Sequence, residues 1–234
     1  MPRILVVEHE ATCPPALLGQ WLEDAGATLD VCRPYAGDVL PDSLEGHDGL
    51  LVLGGSMGAY DGAEHAWLDP LKELIRSAEV PVLGVCLGHQ LVAVAYGGEV
   101  GANTCGQQLG LLDVGWTAEA RTDELMRDLA TPRRGLQWND DIVTGLPDDA
   151  VLLAATPAGE PQVVRFSANA WGVQLHPEVD EGVVRAWAEA DAERHVAGGV
   201  DQARLLGELA GARAELSGAW RPLAERFCDL AAVR

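Results

Sequence analysis

Basic residues are scarce in this chain of 234 residues. It has 16 Lys and Arg against 36 Asp and Glu, a formal net charge of -20, and Lys72 is the only lysine. Because binding to phosphate groups depends on clustered Lys and Arg, this balance argues against nucleic acid and an anionic membrane surface as primary partners. The chain also lacks an apolar run of about 18 residues, which a membrane-spanning helix needs.

Paired cysteines are absent as well. The five cysteines are widely spaced and form no CxxC motif; they are Cys13, Cys32, Cys86, Cys105 and Cys228. This pattern favours neither a disulfide framework nor a zinc site, and nothing in the sequence indicates another metal or a cofactor. The N-terminus, MPRILVVEHE, lacks the basic flank and long apolar stretch of a signal peptide. We therefore expect a protein of the reducing cytoplasm.

No Pro/Gly/Ser-rich or like-charged run divides the chain, so we predict a single domain over residues 1–234. Apolar strands alternate with amphipathic helices in the first part. We predict strands at Arg3–Glu8, Thr28–Cys32, Gly49–Leu53 and Val80–Val85, and helices at Pro14–Ala25, Asp69–Ala78 and Gly88–Tyr96. This order indicates an α/β fold with a mostly parallel sheet and helices on both faces, in which ligands bind beyond the carboxyl ends of the strands.

The middle of the chain has shorter apolar segments, which we interpret as further strands of the same sheet. They are Leu109–Val114, Arg134–Trp138, Val151–Ala155, Gln162–Phe166 and Trp171–Leu175. We predict a short helix at Thr122–Leu129. Residues 180–234 have the apolar spacing of helices, so we predict a helical C-terminal extension packed on the outside.

Gly84, Cys86 and Gly88 have the spacing of a nucleophile elbow between a strand and a helix, where glycines avoid Cβ clashes. At the helix N-terminus, free N–H groups and the dipole favour the thiolate and lower the pKa of the thiol. The N–H of Leu87 is placed to stabilise an oxyanion. The same pentapeptide also fits a buried structural thiol, and it does not by itself separate the two interpretations.

His176 is the candidate proton carrier, because it follows the strand-like run Gly172–Leu175 and stands in a His-Pro-Glu sequence. Pro177 fixes the local path, so that Glu178 can hold one imidazole nitrogen, as the third member of a catalytic triad does. On its own, however, this tripeptide is more typical of a surface turn.

The remaining histidines lack a comparable neighbourhood. We expect ordinary surface or loop positions for His9, His47, His65 and His195. His89 adjoins the elbow, but at the start of its helix it should point away from the thiolate.

Three segments combine these features: GGSMGAYD at Gly54–Asp61, PVLGVCLGHQ at Pro81–Gln90, and GVQLHPE at Gly172–Glu178. Together they closely resemble the class I (triad) glutamine amidotransferases, and most nearly the stand-alone members similar to the amidotransferase domain of GMP synthase. The resemblance runs from about Arg3 to Val179, and the order of the motifs is highly specific. It implies the flavodoxin-like fold of that family.

The resemblance also implies roles for individual residues. Cys86 would attack the amide carbon of glutamine, His176 would move protons, and Glu178 would orient His176. The thioester would then be hydrolysed to glutamate, with release of ammonia to a separate acceptor, because no synthetase domain or P-loop follows.

Three more residues receive roles in the same way. The backbone N–H groups of Gly55 and Leu87 would form the oxyanion hole, and Gln90 would help to line the glutamine pocket.

Two segments depart from the family pattern. Ser56 stands where the family often has proline, and Asn139-Asp140 replaces a common His-Gly pair. A side chain at Asp140 is expected to narrow or recharge the pocket rim, which puts the usual glutamine specificity in doubt. Two alternatives therefore stay open: a γ-glutamyl peptide or amide hydrolase with a wider pocket, and a binding or regulatory module without turnover.

Overall fold

A seven-stranded sheet forms the centre of the molecule. The structure is a computed structural model and describes residues 1–233. The strands of this sheet are β1 (Arg3–Val7), β2 (Thr28–Cys32), β3 (Gly49–Val52), β4 (Val82–Val85), β9 (Val151–Ala155), β10 (Pro161–Ser167) and β11 (Ala170–Val173). Their order is β2-β1-β3-β4-β11-β10-β9. The first five strands are parallel, and β10 is antiparallel to both of its neighbours, β11 and β9. The predicted α/β fold with a mostly parallel sheet is confirmed.

Helices cover both faces of the sheet. They are α1 (Ala16–Asp24), α2 (Leu68–Arg76), α3 (Leu87–Ala95), α4 (Glu181–Ala190), α5 (Ala192–Ala197) and α6 (Gln202–Ala232). Successive side chains of β1 point to opposite faces of the sheet. Ile4 and Val6 pack with α1 and α6 on one face, and Leu5 and Val7 pack with α2 on the other. Both faces of the strand are apolar because a parallel sheet is buried on both sides.

Two predictions for the middle of the chain were wrong. The predicted strands near Leu109 and Arg134 form β6 (Gln108–Asp113) and β7 (Arg134–Asn139), but these pair with each other in a separate sheet. The predicted helix Thr122–Leu129 is a 3-10 turn at Glu119–Thr122 followed by irregular turns. Asp123 accepts from the backbone N–H groups of residues 125 and 126, as a helix N-cap does, but its carboxylate also binds Trp171 Nε1 and Arg165 of the central sheet. These contacts with distant residues hold the segment as turns against the sheet.

A second small sheet, β5 (Glu99–Ala102) with β8 (Asp141–Gly145), was not predicted. The C-terminal helices close over β6 and β7, where Leu205 and Leu209 of α6 pack with Leu136 of β7. The C-terminal region therefore shares a hydrophobic cluster with the middle of the chain.

Candidate active site

Cys86 occupies a strained turn between β4 and α3. Its backbone angles are φ 52° and ψ −107°, in a region that L residues rarely adopt. Such a conformation costs about 1–3 kcal/mol and persists where the surrounding structure holds it. Close packing enforces it here, since a Cβ on Gly84 would overlap the Gly88 carbonyl and a Cβ on Gly88 would overlap the Val52 carbonyl. These contacts explain why both positions of the elbow need glycine.

His176 and Glu178 form a buried pair directly after β11. His176 Nδ1 lies 2.6 Å from Glu178 Oε1, and both side chains are 2% exposed. Burial alone would lower the pKa of His176, but the interactions of the imidazole with Glu178 and with Cys86 outweigh burial and raise that pKa to about 10. The imidazole is therefore protonated near neutral pH. His176 Nε2 has no hydrogen-bond partner among residues 1–233.

The structure brings Cys86 and His176 to the same point of the sheet edge, beside Gly54. A Cβ built on Gly54 would lie 3.3 Å from His176 Cε1 and 3.7 Å from Cys86 Cβ. Both residues line one cavity of about 480 Å³. Cys86 is only 7% exposed, so the turn presents the thiol to this cavity and not to open solvent.

The two predicted oxyanion donors also line this cavity. Leu87 is the first residue of α3, so its N–H belongs to the helix end that lacks intrahelical acceptors. Gly55 follows β3 and packs closely against the Leu87 side chain, since a Cβ on Gly55 would lie 3.0 Å from Leu87 Cδ2. The two backbone segments are thus neighbours at the cavity wall.

Gln90 lines the cavity, but its amide nitrogen is engaged within the protein. Nε2 donates to Asp141 O at 2.9 Å and to Gln174 Oε1 at 3.3 Å. Gln174 in turn directs its amide nitrogen toward Cys86 Sγ at 3.6 Å. Sequence reasoning missed the contact of Gln174 with the thiol, although Gln174 stands inside the third motif.

The departure at Asp140 lies at the cavity rim. The Asp140 carboxylate forms a bidentate ion pair with the Arg194 guanidinium of α5, and both side chains are about half exposed. Nearby, Trp138 Nε1 donates to Asp191 Oδ2 at 2.8 Å. Asp140, Arg194, Trp138 and Asp191 all line the cavity. The guanidinium of Arg194 therefore compensates the negative charge that Asp140 adds to the rim.

The C-terminal helices supply a wall of the site that the sequence did not predict. Trp187 of α4 lines the cavity, and its ring lies 4.6 Å from the His176 ring between centroids. Its Nε1 donates to Thr12 O at 2.8 Å, which joins α4 to the loop after β1. The side chain is 8% exposed. Trp187 therefore packs on the imidazole and fixes one boundary of the cavity.

Two histidines expected at the surface are buried instead. His9 accepts from Trp67 Nε1 at 3.0 Å, and burial lowers its pKa to about 4. His195 lies under Trp138 with Nδ1 2.6 Å from Gln202 Nε2. The expectation was wrong because each ring contacts a tryptophan from a distant segment, Trp67 for His9 and Trp138 for His195.

His89 is buried on the far side of the elbow. It packs on Phe166 with ring centroids 5.3 Å apart, and it does not line the cavity. Burial lowers its pKa to about 3, so it is neutral in the folded protein. The prediction that His89 points away from the thiol agrees with this position.

No helix within residues 1–233 combines the length and apolarity that crossing a membrane requires. The same residues contain no group of three or more His, Cys, Asp or Glu side chains arranged to hold a metal ion.

Comparison with known sequences gives consistent matches. Residues 17–186 match the family model described as glutamine amidotransferase class-I. The chain is 30% identical over 182 residues to the glutamine amidotransferase-like protein YfeJ of Salmonella typhimurium, covering 75% of each chain. It is 32% identical over 180 residues to a glutamine-hydrolysing GMP synthase subunit of Natronomonas pharaonis, covering 76% of this chain and 89% of that one. Gamma-glutamyl peptidase 4 of Arabidopsis thaliana is 29% identical over 169 residues, covering 70% and 66%.

A solved structure extends the similarity to the C-terminal helices. The crystal structure of a glutamine amidotransferase from Thermotoga maritima aligns with a TM-score of 0.86 at 26% identity, covering 97% of this chain and 98% of that one. Because the family model ends at residue 186, this coverage shows that most of the region beyond it belongs to a shared fold.

Proposed function

Since this chain belongs to the class I glutamine amidotransferase family, we propose that it hydrolyses the side-chain amide of glutamine through a thioester on Cys86. The observation that carries the proposal is the buried His176–Glu178 pair beside the strained Cys86 turn, at the wall of one cavity. Thiolate chemistry needs a nucleophile, a proton carrier and a group that orients the carrier.

In the first half of the reaction, the Cys86 thiolate attacks the amide carbon. The negative charge that develops on the carbonyl oxygen is stabilised by the N–H groups of Gly55 and Leu87. Protonated His176 gives its Nε2 proton to the amide nitrogen, the C–N bond breaks, and ammonia leaves. The raised pKa of His176 supports this order, because the proton is already on the imidazole when the thiolate attacks.

In the second half, neutral His176 takes a proton from water as the hydroxide attacks the thioester carbon. The C–S bond breaks, which releases glutamate and returns the thiolate and the protonated imidazole. Glu178 holds His176 Nδ1 throughout and stabilises the imidazolium each time it forms.

The released ammonia is used by a separate synthetase protein. This part of the proposal rests on the likeness to the GMP synthase relative, whose name denotes one subunit of a larger enzyme.

A second candidate is hydrolysis of γ-glutamyl peptides or amides. Two observations favour it: the likeness to a gamma-glutamyl peptidase, and a cavity whose mouth carries the Asp140–Arg194 pair. The reaction uses the same groups, with an amine in place of ammonia as the leaving group. The charged pair at the rim would contact the part of the substrate beyond the scissile bond.

The test is a hydrolysis assay with the purified chain. Glutamine and a γ-glutamyl dipeptide are supplied separately, and glutamate and ammonia are both measured. Equal release of glutamate and ammonia from glutamine, abolished in Cys86→Ala, supports the first function. Faster release of glutamate from the dipeptide supports the second. A chain that releases glutamate from neither substrate contradicts both and favours the module without turnover.

A further inference from the structure

Glu10 is a carboxylate of the same cavity to which the proposed hydrolysis gives no role. It lies just beyond β1, at the edge of the sheet where ligands bind in α/β proteins. Three side chains donate hydrogen bonds to it. Thr12 Oγ1 and Cys13 Sγ reach Oε1 at 2.9 and 3.2 Å, and Ser56 Oγ reaches Oε2 at 2.6 Å. The carboxylate is therefore fixed in one orientation.

This carboxylate is ionised, and no positive side chain among residues 1–233 pairs with it. Burial raises the pKa of Glu10, but the hydrogen bonds from Ser56, Cys13 and Thr12 outweigh burial and hold it below its ordinary value. In the part of the chain from 1 to 233, no Lys, Arg or His side chain forms an ion pair with it. Arg194, the one guanidinium of the cavity wall, is paired elsewhere. A half-buried carboxylate without a counter-ion favours a cation in the cavity.

Cys13 links Glu10 to the reacting groups. Its sulfur donates to Glu10 and lies 3.9 Å from a Cβ built on Gly54, the same point that Cys86 and His176 flank. The Glu10 carboxylate is therefore separated from the Cys86 thiol by about the length of one side chain, that of Cys13. Ser56 contributes a hydroxyl donor that the proline frequent in the family at this position could not supply.

We propose that Glu10 binds the α-ammonium group of the γ-glutamyl substrate and thereby selects substrates with a free α-amino group. This inference rests on the proposed hydrolysis. In glutamine and in γ-glutamyl amides, only a short aliphatic chain separates the amide carbon from the carbon that carries the ammonium. One substrate molecule can then present its carbonyl carbon to Cys86 and its ammonium to Glu10. A hydrogen bond to a charged group raises binding affinity by about 10- to 100-fold.

The test compares glutamine with glutaramic acid, which has hydrogen in place of the α-amino group. We expect the wild-type chain to prefer glutamine by about 10- to 100-fold in kcat/KM. In Glu10→Gln this preference should fall to within about threefold, mainly through a higher KM for glutamine, while the rate with glutaramic acid is retained. Glu73→Gln is the control: it removes an exposed carboxylate of α2 that does not line the cavity, and it should keep the preference.

Alkylation of Cys86 by iodoacetamide, which carries no ammonium group, separates recognition from structural damage. Its rate should stay within about threefold of wild type in Glu10→Gln. A large drop would assign Glu10 a structural role and overturn the inference. An unchanged preference for glutamine in Glu10→Gln overturns it as well, while leaving the proposed hydrolysis intact. A wild-type chain that turns over neither compound overturns both.

Discussion

Replacing Glu178 by glutamine tests how the imidazole is controlled. The side chain keeps its size and an oxygen that can accept from His176 Nδ1, but it loses its negative charge. The distance between the two side chains is 2.6 Å and each is 2% exposed, so solvent screens their interaction little. Without that charge only Cys86 opposes the effect of burial, so the pKa of His176 should fall from about 10 toward its ordinary value of 6.5.

Near neutral pH a larger fraction of the variant then carries a neutral imidazole, which has no proton to give to the leaving nitrogen. We expect kcat for glutamate release to fall by about 10²–10⁴. In wild type, kcat/KM should decline at high pH as His176 loses its proton near pH 10, and this alkaline limb should move toward neutral pH in Glu178→Gln.

The assay is the pH dependence of glutamate release for wild type and both variants, Glu178→Gln and His176→Ala. Glu181→Gln, three residues further along and exposed at the start of α4, is the control and should leave the profile unchanged. The loss in Glu178→Gln should be smaller than that in His176→Ala, since the imidazole remains. An alkaline limb that does not move, or equal losses in the two variants, would refute the reasoning.

Three further perturbations follow from the packing. The folded state holds His89 neutral with a pKa of about 3, so the free energy of unfolding should decrease as pH falls below 6.5, by at most about 1.4 kcal/mol per pH unit. His89→Asn should flatten this dependence, measured by urea unfolding between pH 7 and pH 4. Trp187→Ala should lower the free energy of unfolding by about 3–5 kcal/mol and reduce glutamate release. Trp187→Phe keeps an aromatic ring on His176 and should retain most of the activity. Equal loss of activity in the two variants would contradict this role of Trp187. Gly88→Ala should abolish soluble expression because its Cβ would overlap a β3 carbonyl. Gly207→Ala, whose Cβ meets no atom within 4 Å inside α6, should keep soluble expression and stabilise the helix by about 0.5–1 kcal/mol.

The sequence predicted the parts of the fold that depend on local periodicity. The strands and helices of the first part were predicted to within two residues, and the elbow at Cys86 follows from the glycines two residues to either side. The family resemblance based on the three motifs is confirmed. These features could be predicted because their causes lie within a few residues of each other.

Partners distant in the chain could not be predicted in this way. Short apolar segments predict that β6 and β7 are strands, but they do not show that these strands pair with each other outside the central sheet. Helical periodicity in the C-terminal region indicates an apolar face, but not that Trp187 lies against His176. Glu10 could have been predicted in part, because residues just after a parallel strand lie at the edge of the sheet where ligands bind.

The most direct test of the account is covalent labelling by a glutamine-like electrophile, diazo-oxo-norleucine, with mass spectrometry of every cysteine-containing peptide. We expect one adduct per chain, on Cys86 alone, formed much more slowly in His176→Ala and absent in Cys86→Ala. The contrary result would be no adduct on Cys86, or labelling of the exposed Cys105 at a comparable rate, because either outcome would mean that the turn after β4 does not activate its thiol.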